Sequence, residues 1–238
     1  MQVLPLPALR RTIAATMVRA IRSAVLVTTT DEADITELVA LRQRVATAAP
    51  ERGSRITLLP FLLKSPVQAL RRHPQLNAEI DENLRHLRLK RYYNIGIATD
   101  TSDGLIVPVL RNVDNMSVAE IASGLELLTS HARQRSLSVQ DVKGGTFTIS
   151  NFGAIGGIFA TPVLQPPQVA ILGFGKATPK PVVRDGGVVV RTLLPLSLTF
   201  DHRALDGATV QRFLNEFASL CARPEQLDPQ CCPPLGDE

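Results

Sequence analysis

Apolar residues recur every four positions from Leu9 through Ile13 and Met17 to Ile21, with Arg10, Arg11 and Arg19 between them and Arg22 after. That spacing gathers the apolar side chains on one face and predicts a helix over residues 8–23. A β-rich run follows from Val25 to Thr30. In Asp34-Ile35-Thr36-Glu37 an aspartate and a glutamate three residues on have the spacing of a capping box. The helix it opens carries Ile35, Leu38, Leu41 and Val45 and is expected to end near Pro50-Glu51-Arg52-Gly53. A third helix is predicted over residues 58–73, with Pro66 implying a kink or a late start. Strand patterns cover residues 87–99, 105–110 and 145–150. Between the last two, Ser117-Val118-Ala119-Glu120 is a second capping box, opening a helix that runs to about Gln134. Further strands fit 168–174 and 187–200. A last helix over 207–222 places Val210, Phe213, Leu214, Phe217 and Leu220 on one stripe.

Helices and strands alternate irregularly, and Asp185-Gly186-Gly187 is a hairpin signal. The pattern predicts an α+β domain with a mixed sheet rather than a doubly wound one. No linker or internal repeat interrupts it, so one domain over residues 1–228 is expected, followed by a Pro-rich tail at 229–238. A chain of 238 residues, 45% hydrophobic, is long enough to bury a substantial core. No apolar run approaches the ~20 residues of a membrane span, and the start lacks the charged and apolar regions of a secretion signal. The three cysteines, Cys221, Cys231 and Cys232, form no disulfide framework and no zinc spacing. Free thiols in a reducing compartment are expected, without a metal. Net charge is +4, but aromatic residues are only 4% and no long basic block occurs, which argues against nucleic-acid binding. A mild positive field suits an anionic small molecule or an acidic protein partner.

The chemistry concentrates in two segments. An alternating apolar run, Leu194 to Phe200, leads into Asp201-His202-Arg203-Ala204-Leu205-Asp206-Gly207 and then the last helix. An imidazole titrates near ~6.5, so a histidine held by a rigid strand suits general-base work. The other segment is the strand-to-loop passage Thr146-Phe147-Thr148-Ile149-Ser150-Asn151-Phe152-Gly153, with further glycines at 156 and 157. A hydroxyl at a strand end can face a cleft, and glycines permit close backbone approach to a ligand. The spacing matches neither a dinucleotide fingerprint nor a P-loop. Nor is Ser150 set in G-x-S-x-G, which counts against a hydrolase triad with His202 and Asp206. Asp206, four residues from His202, more naturally braces the turn.

Asp201-His202-Arg203-x-x-Asp206-Gly207 resembles the D-H-R-x-x-D-G signature of the dihydrolipoyl acyltransferase cores of 2-oxo acid dehydrogenase complexes. Arg10-Arg11-x-Ile13-Ala14-x-x-Met17, Asp31 to Leu38, Gly104 to Val109, Thr146 to Gly157 and Val169 to Gly173 follow the same family in order. The resemblance implies the chloramphenicol acetyltransferase fold and homotrimers with active sites between subunits. His202 is then the general base that deprotonates dihydrolipoamide or coenzyme A, and Ser150 the hydroxyl that steadies the oxyanion. Asp206 stabilises the histidine loop, with Asp201, Arg203 and Gly207 as structural support. Arg111, Asn151 and Gly153 are the implied coenzyme A contacts. Implied partners are lipoyl domains and the decarboxylase and dihydrolipoyl dehydrogenase components, in a bacterial cytoplasm or a mitochondrial matrix. Serine at position 150 favours acetyl or branched-chain acyl over succinyl transfer.

The resemblance has three departures. No lipoyl domain accompanies the core, so an excised domain or a stand-alone protein is expected. The family commonly has Pro-His before its first strand, where this chain has Val25-Leu26. The end from Arg223 is polar and Pro-rich where larger cages use an apolar anchor, so assembly is expected to stop at trimers or to form cages weakly. Two other readings stay open: an acyltransferase acting on another acceptor such as a drug hydroxyl, and a structural core subunit that has lost catalysis.

Overall fold

A computed structural model describes residues 1–48, 57–81, 83–102 and 104–227. In chain order the elements are α1 (Ala8–Ser23), β1 (Leu26–Asp34), α2 (Thr36–Ala48), α3 (Leu59–Arg72), β2 (Ala78–Ile80), β3 (Leu87–Leu89), β4 (Ile95–Thr101), β5 (Gly104–Ile106), β6 (Val109–Leu110), α4 (Val118–Arg133), β7 (Phe147–Asn151), β8 (Ala170–Phe174), β9 (Thr178–Arg184), β10 (Gly187–Asp201) and α5 (Gly207–Ala222). Eight strands form one sheet in the order β1-β10-β8-β7-β4-β5, with β6 beside β4 and β9 beside β10. The pairs β4–β7 and β7–β8 are parallel and the others antiparallel. The sheet is therefore mixed, and the domain is α+β.

Strand alternation sorts the two faces. Leu194, Leu196, Leu198 and Phe200 of β10 join Phe147 and Ile149 of β7 in one apolar core. The stripe predicted for the last helix, Val210, Phe213, Leu214, Phe217 and Leu220, closes that core from above, and α3 adds Phe61, Leu63 and Leu70. Removing apolar area of this kind from water contributes about 25 cal/mol per Å² and dominates the fold's stability. The opposite face of the same strands is polar. Thr28 and Thr199 share a hydroxyl hydrogen bond at 2.6 Å, Ser197 accepts from the amide of Ala160 at 3.1 Å, and Thr148 donates to Gln168 at 2.6 Å. Residues of α1 and of the segment 158–168 lie over this side.

Several boundaries differ from the pattern-based expectation. The first strand extends to Asp34 because β10 continues to pair with it, Asp34 lying opposite Leu193. Asp34 accepts from the amide and hydroxyl of Thr36, but Glu37 turns away from the cap and pairs with Arg191 of β10 at 3.1 Å. Asp34 binds the same guanidinium at 2.7 Å, so tertiary ion pairing replaces half of the expected capping box. The box at Ser117 and Glu120 forms as predicted. The single strand expected over 87–99 splits into β3 and β4, which belong to different sheets. Pro66 lies buried within α3, which runs through it without ending. The predicted end of α2 near Pro50 to Gly53, the tail at 229–238, and Cys231 and Cys232 fall outside the described residues. Cys221 is a free thiol buried beside Ser65, and burial pushes its pKa up to about 12.

Candidate active site

Ser150 is the fourth residue of β7. It lies opposite Ala98 in β4 and Gly173 in β8, on the polar face of the sheet. A cavity of about 350 Å³ opens over it, roofed by Ile13, Thr16 and Met17 of α1 and walled by Leu105, Val107 and Val142. Every described residue lining it is uncharged.

His202 stands where β10 ends. Its amide donates to the carbonyl of Val25 at 2.8 Å, and its ring lies against Phe200 with centroids 5.4 Å apart. The imidazole is exposed. Behind it, Asp201 is only 3% exposed, and its carboxylate accepts from the Arg203 guanidinium at 2.6 and 3.0 Å and from the Val25 amide at 3.2 Å. Burial pushes this carboxyl up, yet the hydrogen bonds from Arg203 and Val25 outweigh it and hold the group below the usual carboxylate range. Asp206 caps α5, accepting from the Thr209 amide at 2.7 Å. That bond also holds its carboxyl below the usual range. The histidine is thus fixed at both ends of its turn, by the ion pair of a buried carboxylate on one side and a helix cap on the other. A second cavity, about 340 Å³, touches Asp201, Arg203 and Gln168.

A carboxyl whose folded pKa is depressed stabilises the fold above its unfolded value of ~3.9 and loses that contribution as pH falls through the folded value. Asp201→Asn is therefore expected to be less stable than the parent near neutrality. Denaturant melts at about pH 7 and about pH 3 should show the gap narrowing in acid; a gap that widens would contradict the assignment.

Within one chain the two chief candidates do not meet. Ser150, Gly173 and Ser197 share a row across β7, β8 and β10, and His202 lies five residues beyond Ser197. Five residues of strand rise and two inter-strand steps separate them by ~19 Å. The three residues assigned to coenzyme A are also not gathered at the serine cavity. Arg111 donates to the carbonyls of Gln140 at 2.8 Å and Lys143 at 2.9 Å, so it clamps the turn that presents Val142 to the cavity. Alternation puts Asn151 on the side of Ile149, away from Ser150. Gly153 serves a chain crossing: a Cβ there would lie 2.1 Å from the Gly175 carbonyl oxygen. Gly153 and, beyond β8, Gly175 both admit close main-chain contact. Around Gly207 there is open space. Sequence reasoning missed Val25, whose main chain pins the histidine turn, and Ala98; neither bears chemistry that motif reading would detect.

The family model for the 2-oxoacid dehydrogenases acyltransferase catalytic domain matches residues 1–228. The chain belongs to this family. Over 222 residues it is 43% identical to the dihydrolipoyllysine-residue acetyltransferase component of the pyruvate dehydrogenase complex of Staphylococcus epidermidis, covering 93% of this chain and 51% of that protein. The chain thus spans about half the length of the curated relatives it matches. Among solved structures, Azotobacter vinelandii dihydrolipoamide acetyltransferase superposes with a TM-score of 0.92 at 38% identity, covering 95% of this chain and 93% of that one. That work concerns the role of a serine, a histidine 52 residues later and an asparagine four residues further in the relative's catalytic mechanism. The cubic core of a pyruvate dehydrogenase multienzyme complex matches equally well, with a TM-score of 0.92, 37% identity and the same coverage of 95% and 93%. Chloramphenicol acetyltransferase, at 16% identity and a TM-score of 0.55 over 92% of this chain and 99% of that one, shares the fold. The acyltransferase domain therefore has the architecture its motifs led one to expect.

Proposed function

We propose that this acyltransferase domain transfers an acetyl group between dihydrolipoamide and coenzyme A, with each active site built from two copies of the chain. The observation that carries the reading is the pairing of an exposed, doubly braced His202 with a cavity-lining Ser150 that lies ~19 Å away in its own chain. Each chain offers two half-sites, and a neighbour in a closed ring supplies the missing half. The multimeric cores of the relatives support this, and a homotrimer is the smallest ring that fits the family. Ser150 and His202 stand at the spacing of the serine and histidine in the Azotobacter protein, and Asp206 at that of its asparagine. Both residue types cap helices well, consistent with the bond from Thr209.

In the forward direction the His202 imidazole takes the proton from the coenzyme A thiol. A free thiol has a pKa of ~8.5 and only its thiolate attacks efficiently, which sets the need for a base. The thiolate adds to the thioester carbonyl carbon of S-acetyldihydrolipoamide, and the negative charge moves to the carbonyl oxygen. The Ser150 hydroxyl donates a hydrogen bond to that oxyanion, a contact worth ~3 kcal/mol in comparable sites. Collapse breaks the bond to the lipoyl sulfur, and the imidazolium returns its proton there. No acyl-enzyme forms, and the histidine ends as it began.

The uncharged lining around Ser150 favours a neutral acyl group, since an unpaired carboxylate taken out of water is strongly disfavoured. Lipoyl groups on separate domains, together with decarboxylase and dihydrolipoyl dehydrogenase components, complete the proposed complex in a reducing compartment such as the cytoplasm. Among the described residues no helix is long and apolar enough to cross a membrane. The test is a direct assay of the purified chain with dihydrolipoamide and either acetyl-CoA or succinyl-CoA. Transfer of acetyl at least roughly a hundredfold better than succinyl is expected; no transfer from any acyl-CoA by a correctly assembled protein would overturn the proposal.

A further inference from the structure

Resting on that reading, we infer that Ala98 and Met17 set the upper size of the acyl group, acting as facing walls of the chamber beside Ser150. The register of the parallel ladder places Ala98 directly opposite Ser150, so both side chains emerge from the same face of the sheet about 4.8 Å apart. The other flank of the serine is filled. Gly173 lies opposite Ser150 in β8, and the Phe152 ring packs over it so closely that a Cβ on Gly173 would stand 2.8 Å from Cε1. A substituent on a carbonyl carbon held at the Ser150 hydroxyl is therefore directed over Ala98.

The cavity extends in that direction, and also along the strands toward Thr148 and Ile171. Ala98 lines it and is half-buried, whereas neither Gly173 nor Phe152 does. Across the space stand Ile13 and Met17, one helical turn apart on the inner side of α1. Ala98 carries the smallest side chain of this wall, and Met17 is an unbranched side chain that adapts to what it meets. The two positions control length from opposite sides. Neither touches the groups that move protons, so they act on which acyl chain fits.

The experiment compares kcat/KM for isobutyryl-CoA and acetyl-CoA, both with dihydrolipoamide, in the parent protein and in Ala98→Leu and Met17→Ala. A methylene in a hydrophobic pocket discriminates roughly 10–200-fold, so Ala98→Leu should lower the isobutyryl-to-acetyl ratio at least about tenfold. Met17→Ala should raise the same ratio by roughly threefold or more. Because α1 lies on the surface of the chain, the second variant keeps the test alive if Ala98→Leu fails to fold by circular dichroism. Ratios within about twofold of the parent in every folded variant, with acetyl transfer intact in the parent, overturn this inference and leave the proposed reaction standing. An assembled parent protein that transfers neither acyl group overturns the reaction itself and this inference with it.

Discussion

His202→Ala is expected to lower acetyl transfer by ~10²–10⁴ while leaving the fold and assembly unchanged. The side chain is exposed at the end of β10, and its place in the turn is held by main-chain and neighbouring groups rather than by the ring. The amide of His202 bonds Val25, Asp201 binds Arg203, and Asp206 caps α5; none of these needs the imidazole. The loss should therefore appear in kcat, with thermal unfolding and sedimentation close to those of the parent. Retention of full turnover would remove the general base and with it the proposed mechanism.

The second large effect tests the shared site. Ser150→Ala is expected to lower kcat by roughly 10²–10³, since one oxyanion donor is lost. Assembled alone, each variant has every site defective. Assembled together at equal amounts, each site draws its histidine from one chain and its serine from the next. Random mixing then makes about a quarter of the sites intact, and activity should recover toward that fraction. A site contained within one chain gives no recovery on mixing. The ~19 Å separation in the sheet is the reason recovery is expected.

Much of this is legible in the sequence. The four-residue spacing of α1, the apolar stripe of α5 and the Ser117–Glu120 cap are local patterns, and each formed where the pattern lay. The chemistry of the histidine turn was equally local, because Asp201, His202, Arg203 and Asp206 lie within six residues. The glycines at 153 and 157 were legible as glycines, but not the crowding they meet: Gly153 abuts the main chain of Gly175 beyond β8, and Gly157 abuts the ring of Phe152.

A linear pattern of hydrophobic spacing, capping residues and a seven-residue motif was sufficient to specify the helices, the mixed character of the sheet and the family. Short-range periodicity and side-chain chemistry act between neighbours in the chain, and there the order of residues holds the information. Which strands became partners was settled only by packing. That packing put Ser150 next to Ala98, filled its other side with Phe152, and set His202 two strands away at the far end of the sheet. Strand register depends on how two faces are buried at once, one against α3 and α5 and the other beneath α1, and no local stretch of residues carries that balance.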